Sequence, residues 1–188
     1  MNERPIIAVL PGSRKQEVTV KLPIMLEALT EFKDYQIVIA GAPNLDMSFY
    51  TSMITKNCSI VHGQTYDLLS ASEAAVVTSG TATLETALLG IPEVVCYKGS
   101  KISYHIAKRL IKINYISLVN LIMDKEVVKE LIQDECNPAN INRVLKAILP
   151  GGSKRDEMLL EYEELKKKLG EGGASRKVAQ SLLKTIHS

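Results

Sequence analysis

Short, unbroken runs of β-branched and small apolar residues recur along this chain, each followed by a stretch with helical spacing. No other feature restricts the fold as strongly. "IIAVL" (Ile6–Leu10) has no polar interruption, so it reads as a strand buried on both faces. "QIVIAGAP", "CSIVHG", "AAVVTSG" and "EVVCYK" repeat the theme, and "YISLVNLI" (Tyr115–Ile122) reads as a sixth strand or an extended turn. Between them, Leu22, Met25, Leu26, Leu29 and Phe32 fall at helical spacing, with Pro23 fitting best in the first turn of that helix. Asp46–Lys56 is a helix with Asp46 as its cap, "TYDLLSAS" a short helix capped by Thr65, Thr81–Leu89 a helix stopped by "GIP", and Tyr104–Lys112 an amphipathic helix. Strand and helix alternating at this spacing predict an α/β fold: a Rossmann-like, doubly wound parallel sheet of about six strands.

From Lys125 the expected pattern changes to three or four helices without strands. "PANINRVLKAILPGG" ends in Pro-Gly-Gly, Met158, Tyr162, Leu165 and Leu169 share one stripe, and Val178, Leu182 and Ile186 share another. The expected organisation is thus residues 1–122 as the Rossmann-like domain and 123–188 as a C-terminal helical tail, packed on it or on a partner.

Composition excludes several classes. Lys and Arg number 23 against 21 Asp and Glu, and a net charge of +2 does not argue for nucleic acid. No stretch approaches the roughly 18 apolar residues of a membrane span, and "MNERPII" lacks the features of a signal peptide. A first strand so close to residue 1 suggests a chain that starts at a domain boundary. Cys58, Cys96 and Cys136 are far apart in sequence, which suggests free thiols in a reducing cytosol. His62, His105 and His187 show no metal-ligand spacing, so no metal site is expected.

In such sheets ligands bind at the carboxyl ends of the strands. Two turns there carry the chemistry. In "PGSRKQE", Gly12 permits a tight turn, Ser13 offers a hydroxyl and an amide, and Arg14 offers a planar fork suited to phosphate. It is neither a Walker loop nor GxGxxG. In "SGTATLE", Ser79, Gly80 and Thr81 open a helix whose free amides favour an anion, and Glu85 follows one turn down the same face. A carboxylate there suits a ribose diol beside a phosphate. A plain helix cap with a surface carboxylate is the competing reading. Tyr97 and Lys98 end the fifth strand within possible reach of the cleft, and Asn120 sits among apolar residues where an amide needs partners. The turn Val61–Gln64 is the candidate for a base contact.

"LPGSRKQEV", "SGTATLETALLGIPEVVCYK", "AKRLIK", "YISLVNLI" and "KEVVKELIQDECNPANI", in this order, resemble the carboxyl-terminal half of the lipid-A-disaccharide synthases. The resemblance implies one half of a GT-B glycosyltransferase. The full enzyme would transfer 2,3-diacylglucosamine from UDP to 2,3-diacylglucosamine 1-phosphate, giving the β-1,6-linked disaccharide 1-phosphate and UDP. It implies Arg14 and the Ser79–Gly80–Thr81 turn on the donor diphosphate, Glu85 on the ribose, and Asn120 near the donor or the transfer step. Val119 stands where the family often has Pro. No cofactor and no metal are implied. The implied partners are the UDP-sugar, the lipid acceptor, a missing amino-terminal domain carrying the acceptor site and base, and a second copy exchanging C-terminal helices. The implied place is cytoplasmic, peripheral at the inner face of the Gram-negative inner membrane, with Lys108, Arg109 and Lys112 as contact candidates. The Ser-Gly-Thr…Glu pattern also occurs in UDP-N-acetylglucosamine 2-epimerases and the peptidoglycan glucosaminyltransferase. A non-catalytic nucleotide-binding module is the alternative from another class.

Overall fold

The computed structural model describes residues 4–54, 58–99 and 114–170. Six strands form one sheet: β1 (Ile6–Leu10), β2 (Gln36–Gly41), β3 (Cys58–His62), β4 (Ser72–Thr78), β5 (Glu93–Tyr97) and β6 (Lys129–Ile132). Their spatial order is β3-β2-β1-β4-β5-β6, and every pairing is parallel. The order reverses between β1 and β4, so the crevice of a doubly wound fold opens there. The described helices are α1 (Lys15–Ala28), α2 (Met47–Thr51), α3 (Thr65–Ser70), α4 (Thr81–Leu88), α5 (Leu118–Met123), α6 (Pro138–Ile148) and α7 (Arg155–Leu169).

The apolar runs work as two-faced strands. Ile7 and Val9 of β1 join Ala74 and Val76 of β4 on one face, beneath α1, α6 and α7. Ala8, Leu10, Ala75 and Val77 face the other way, against Leu68 and Leu69 of α3. The period of two thus buries both halves of the β1 and β4 runs.

Several expectations need correction. Pro23 lies well inside α1, which starts at Lys15. The Arg14 carbonyl accepts the Val18 N–H at 3.0 Å, and buried Val18, Leu22 and Met25 hold the helix through the proline. Pro23 and Thr19 are both exposed, so the carbonyl left without its partner lies on the solvent side. The second helix is only Met47–Thr51, and Asp46 sits at its cap position without a side-chain capping bond. Thr65 is the first residue of α3, and Gln64 occupies the cap position.

The larger correction concerns the sixth strand. "SLVNLI" is helix α5, because Ser117 caps it by accepting the Asn120 N–H at 3.3 Å and Asp124 stops it with φ 55°. The sixth strand is "KELI", inside the segment expected to lack strands. The boundary expected after residue 122 is therefore not where the sheet ends. α6 and α7 bury Ile141, Leu145, Ile148, Met158, Tyr162 and Leu165 in the same core as β1 and β4. Arg155 docks α7 by donating to the carbonyls of Glu73 (2.7 Å) and Ile148 (3.1 Å). Leu169, expected on the buried stripe, is 45% exposed. The helices expected at 104–112 and 174–187 lie outside the described residues.

Glu93 opens β5 fully buried, and neither carboxylate oxygen has a hydrogen-bond partner among the described residues. Burial pushes its carboxyl well above the usual range. Across the window between the ordinary and the raised value the folded chain holds a proton that the unfolded chain has lost. Stability therefore falls as pH rises through that window. Glu93→Gln is expected to abolish this fall and to melt higher than wild type above neutral pH. Thermal melts from about pH 5 to about pH 9 check it, since they span the carboxylate and histidine ranges. A constant difference between the two chains at all pH values would count against it.

Candidate functional site

A cleft of about 560 Å³ opens at the carboxyl ends of β1, β2 and β4, at the point where strand order reverses. Gly12, Ser13, Ser79, Gly80, Thr81 and Glu85 all line it. The topology brings the two turns together although they are more than sixty residues apart in sequence. Pro11 ends β1, and Gly12 then adopts φ 109°, which an L side chain resists. α1 starts three residues later.

On the facing side, β4 runs straight into α4. The Ser79 N–H donates to the Cys96 carbonyl at 3.1 Å, extending the β4–β5 ladder by one step. Gly80 takes the cap position of α4 with no atom near the place a Cβ would occupy. The Gly80 carbonyl is satisfied by the Thr83 hydroxyl at 2.8 Å. The amides of Thr81 and Ala82 precede the first intrahelical bond and stand beside the opening. Glu85, half-buried one turn later, stands beside the Tyr66 phenol, and the charge of this carboxylate pushes the Tyr66 hydroxyl above its usual pKa.

Arg14, Tyr97, Lys98 and Asn120 are not brought to the lining. Arg14 stands at the rim with its side chain 82% exposed, 3.5 Å from Glu17. That exposed pair contributes little and leaves the guanidinium free to turn. Lys98 donates to the Cys136 carbonyl at 3.4 Å on the β6 side. Tyr97 is half-buried at the end of β5. Asn120 is a clear departure from expectation. It is fully buried, and its amide is saturated: Nδ2 donates to the Val128 carbonyl (2.8 Å) and Glu130 (2.9 Å), while Oδ1 accepts from the amides of Val127 (2.8 Å) and Val128 (2.9 Å). With four of four bonds made inside the chain, it has none for a ligand. Its function is to hold the turn before β6.

Two cleft residues were not singled out from sequence. Tyr66 gave no signal beyond its place at the start of α3. Glu17 lies in the first turn of α1, and its carboxylate reaches so far over Gly12 that a Cβ there would lie 2.6 Å from Oε2. Lys21, 3.9 Å away and almost fully buried, steadies that carboxylate, and burial lowers its own pKa. Val61–Gln64 does not line the cleft; the His62 ring instead packs edge-on to Tyr50 at 6.0 Å.

Among the described residues no cluster of three His, Cys, Asp or Glu could hold a metal ion, and no helix is long and apolar enough to cross a membrane. Cys58, Cys96 and Cys136 form no disulfide among the described residues.

This site can hold an anion between two turns and a hydroxyl pair on Glu85. Known proteins agree with the fold and extend the sequence resemblance. Residues 1–185 match the family described as lipid-A-disaccharide synthetase. A lipid-A-disaccharide synthase of Syntrophus aciditrophicus is 44% identical over 96% of this chain and 49% of its own length. That of Myxococcus xanthus is 37% identical over 98% of this chain and 50% of its own. The chain thus spans about half the length of the curated relatives it matches. Among solved structures, the S. aureus MnaA–UDP co-structure superposes with a TM-score of 0.65 at 11% identity, covering 98% of this chain and 47% of its own. The calicheamicin glycosyltransferase CalG4 gives 0.63 at 14% identity, covering 100% and 44%. These likenesses show the fold alone, that of about half of each of those chains.

Proposed function

The chain belongs to the lipid-A-disaccharide synthase family, and from that premise we propose that its cleft binds the UDP part of the sugar donor in lipid A biosynthesis. One observation carries the reading: Ser79–Gly80–Thr81, Glu85 and the Gly12–Ser13 turn share one cleft at the switch point of the sheet. The diphosphate lies between the two turns, against the α4 amides. The ribose diol exchanges with the Tyr66 hydroxyl on Glu85. Arg14 swings from Glu17 onto the diphosphate.

The whole enzyme transfers 2,3-diacylglucosamine from UDP to the 6-hydroxyl of 2,3-diacylglucosamine 1-phosphate. The anomeric C–O bond to UDP breaks, and the new glycosidic bond forms. The acceptor hydroxyl loses its proton to a base outside this chain. This half meets the charge that develops on departing UDP with fixed amides and Arg14. We place no metal or cofactor in the reaction. The acceptor site belongs to the other half of the enzyme, which works at the inner face of the inner membrane, and copies assemble by exchange of C-terminal helices.

Calorimetric titration of UDP tests the reading. UDP is expected to bind this chain, and Arg14→Ala and Glu85→Ala are each expected to weaken it by about 1–3 kcal/mol, the cost of a lost bond to a charged group. Equal binding by all three chains would place the nucleotide elsewhere. Absence of binding to both this chain and the full-length enzyme would end the nucleotide reading.

A further inference from the structure

Glu130 is a nearly buried carboxylate, 7% exposed, on a strand that needs no charge for its packing. It collects four donors from one short segment. Oε1 accepts from the Ser117 N–H (2.9 Å), the Ser117 hydroxyl (2.7 Å) and Asn120 Nδ2 (2.9 Å), and Oε2 accepts from the Ile116 N–H (2.9 Å). The Ile116 carbonyl, in turn, accepts the Ser79 hydroxyl proton at 3.1 Å. The Ile116–Ser117 peptide unit is therefore clamped at both ends: its N–H on Glu130 and its C=O on Ser79. A trans peptide is planar, with N–H and C=O pointing in opposite directions. Fixing the N–H on a buried carboxylate therefore aims the carbonyl at the first residue of the Ser79–Thr81 turn.

We propose that Glu130 is a positioning residue for the nucleotide cleft, acting through the Ile116–Ser117 peptide on the Ser79 hydroxyl. The proposal rests on the nucleotide reading above and adds to it a residue that does not touch the ligand. Ser79 spends its proton on Ile116, so what it offers a diphosphate is its place in the chain: it sets where Gly80, and hence the α4 amides, stand. A carboxylate with four donors is a stiff anchor, because moving any one donor breaks a bond to a buried carboxylate with no water to replace it.

The test is a pair of double-mutant cycles read by UDP titration, with a thermal melt of each chain. Glu130→Gln keeps the shape but turns an acceptor into a donor facing N–H groups. Glu130→Gln and Ser79→Ala are each expected to raise the UDP Kd about tenfold, and the double variant to be no worse than the weaker single, since both break one linkage. Glu130→Gln and Arg14→Ala, which act on opposite sides of the cleft, are expected to add. A Glu130→Gln chain that melts lower yet binds UDP as wild type overturns the proposal, and so does additivity with Ser79→Ala. If Arg14→Ala weakens UDP while Glu130→Gln does not, the nucleotide reading stands and the positioning role falls. A wild-type chain that fails to bind UDP overturns both. Should Glu130→Gln lose its cooperative melt, Ser117→Ala replaces it in the cycle, because it removes one donor from the same carboxylate. Unchanged UDP affinity in Ser117→Ala then overturns the proposal.

Discussion

A chain ended after Ile122 is expected not to fold. The cut removes β6, α6 and α7, and with them Val128, Leu131, Ile141, Leu145, Ile148, Met158, Tyr162 and Leu165. These side chains cover the face of the sheet that carries Ile7, Val9, Val76 and Val94. Burying one Leu- or Ile-sized side chain stabilises by roughly 1.5–3 kcal/mol, and the whole domain is held by only about 5–15 kcal/mol. The sum of the lost contacts exceeds what the domain has in reserve. A single truncation at the centre of this layer shows the same dependence on a smaller scale. Leu145→Ala, at a site with no exposure, is expected to destabilise by about 2–5 kcal/mol. Denaturant unfolding followed by circular dichroism measures both. A cooperative transition from the 1–122 piece would show that the first five strands are a domain by themselves, as the change of sequence pattern near Lys125 suggests.

That suggestion shows what periodicity can and cannot see. β1, β2, β4 and β5 are legible because each carries an apolar run buried on both faces, so the run is itself the signal. β6 is not, because Lys129 and Glu130 interrupt it. Glu130 is buried not for its apolarity but to accept hydrogen bonds from a turn more than ten residues upstream, and no local pattern encodes that. "SLVNLI" misleads in the opposite sense. It is apolar enough for a strand, yet the capping bond between the Ser117 hydroxyl and the Asn120 amide makes it a helix. Pro23 shows a third limit. A proline normally marks a first turn, but the buried stripe on the other side of α1 is strong enough to carry the helix through it.

The site divides along the same line. Gly12, Ser13, Ser79, Gly80, Thr81 and Glu85 were legible because strand ends are where such folds bind, and the order β3-β2-β1-β4-β5-β6 sets β1 beside β4. Tyr66 and Glu17 were not. Tyr66 stands beside Glu85 from another helix, a neighbour it gains only on folding, and Glu17, paired with Lys21 one turn further along α1, matters because it reaches over Gly12, a closeness that spacing along the chain does not show. Lys98 was placed by its strand correctly and by its direction wrongly, since its ammonium turns to Cys136.

Asn120 is the residue for which position in the sequence and role in the structure diverge most, and its removal is expected to cost more than that of any cleft residue. Asn120→Ala strands the amides of Val127 and Val128 and the Val128 carbonyl, and takes one donor away from the Glu130 carboxylate, in a site with no access to water. An unsatisfied buried group costs about 1–3 kcal/mol, and the four share one network, so the loss is expected to be about 3–5 kcal/mol rather than their sum. Loss of UDP binding in such a variant would then follow from loss of the fold and not from a missing contact to the ligand. The two causes separate at low temperature with a stabilising osmolyte, where the variant refolds. Recovery of UDP affinity under those conditions is the expected result. A variant that melts like wild type but has lost UDP binding would instead mean that Asn120 leaves its network to reach the donor.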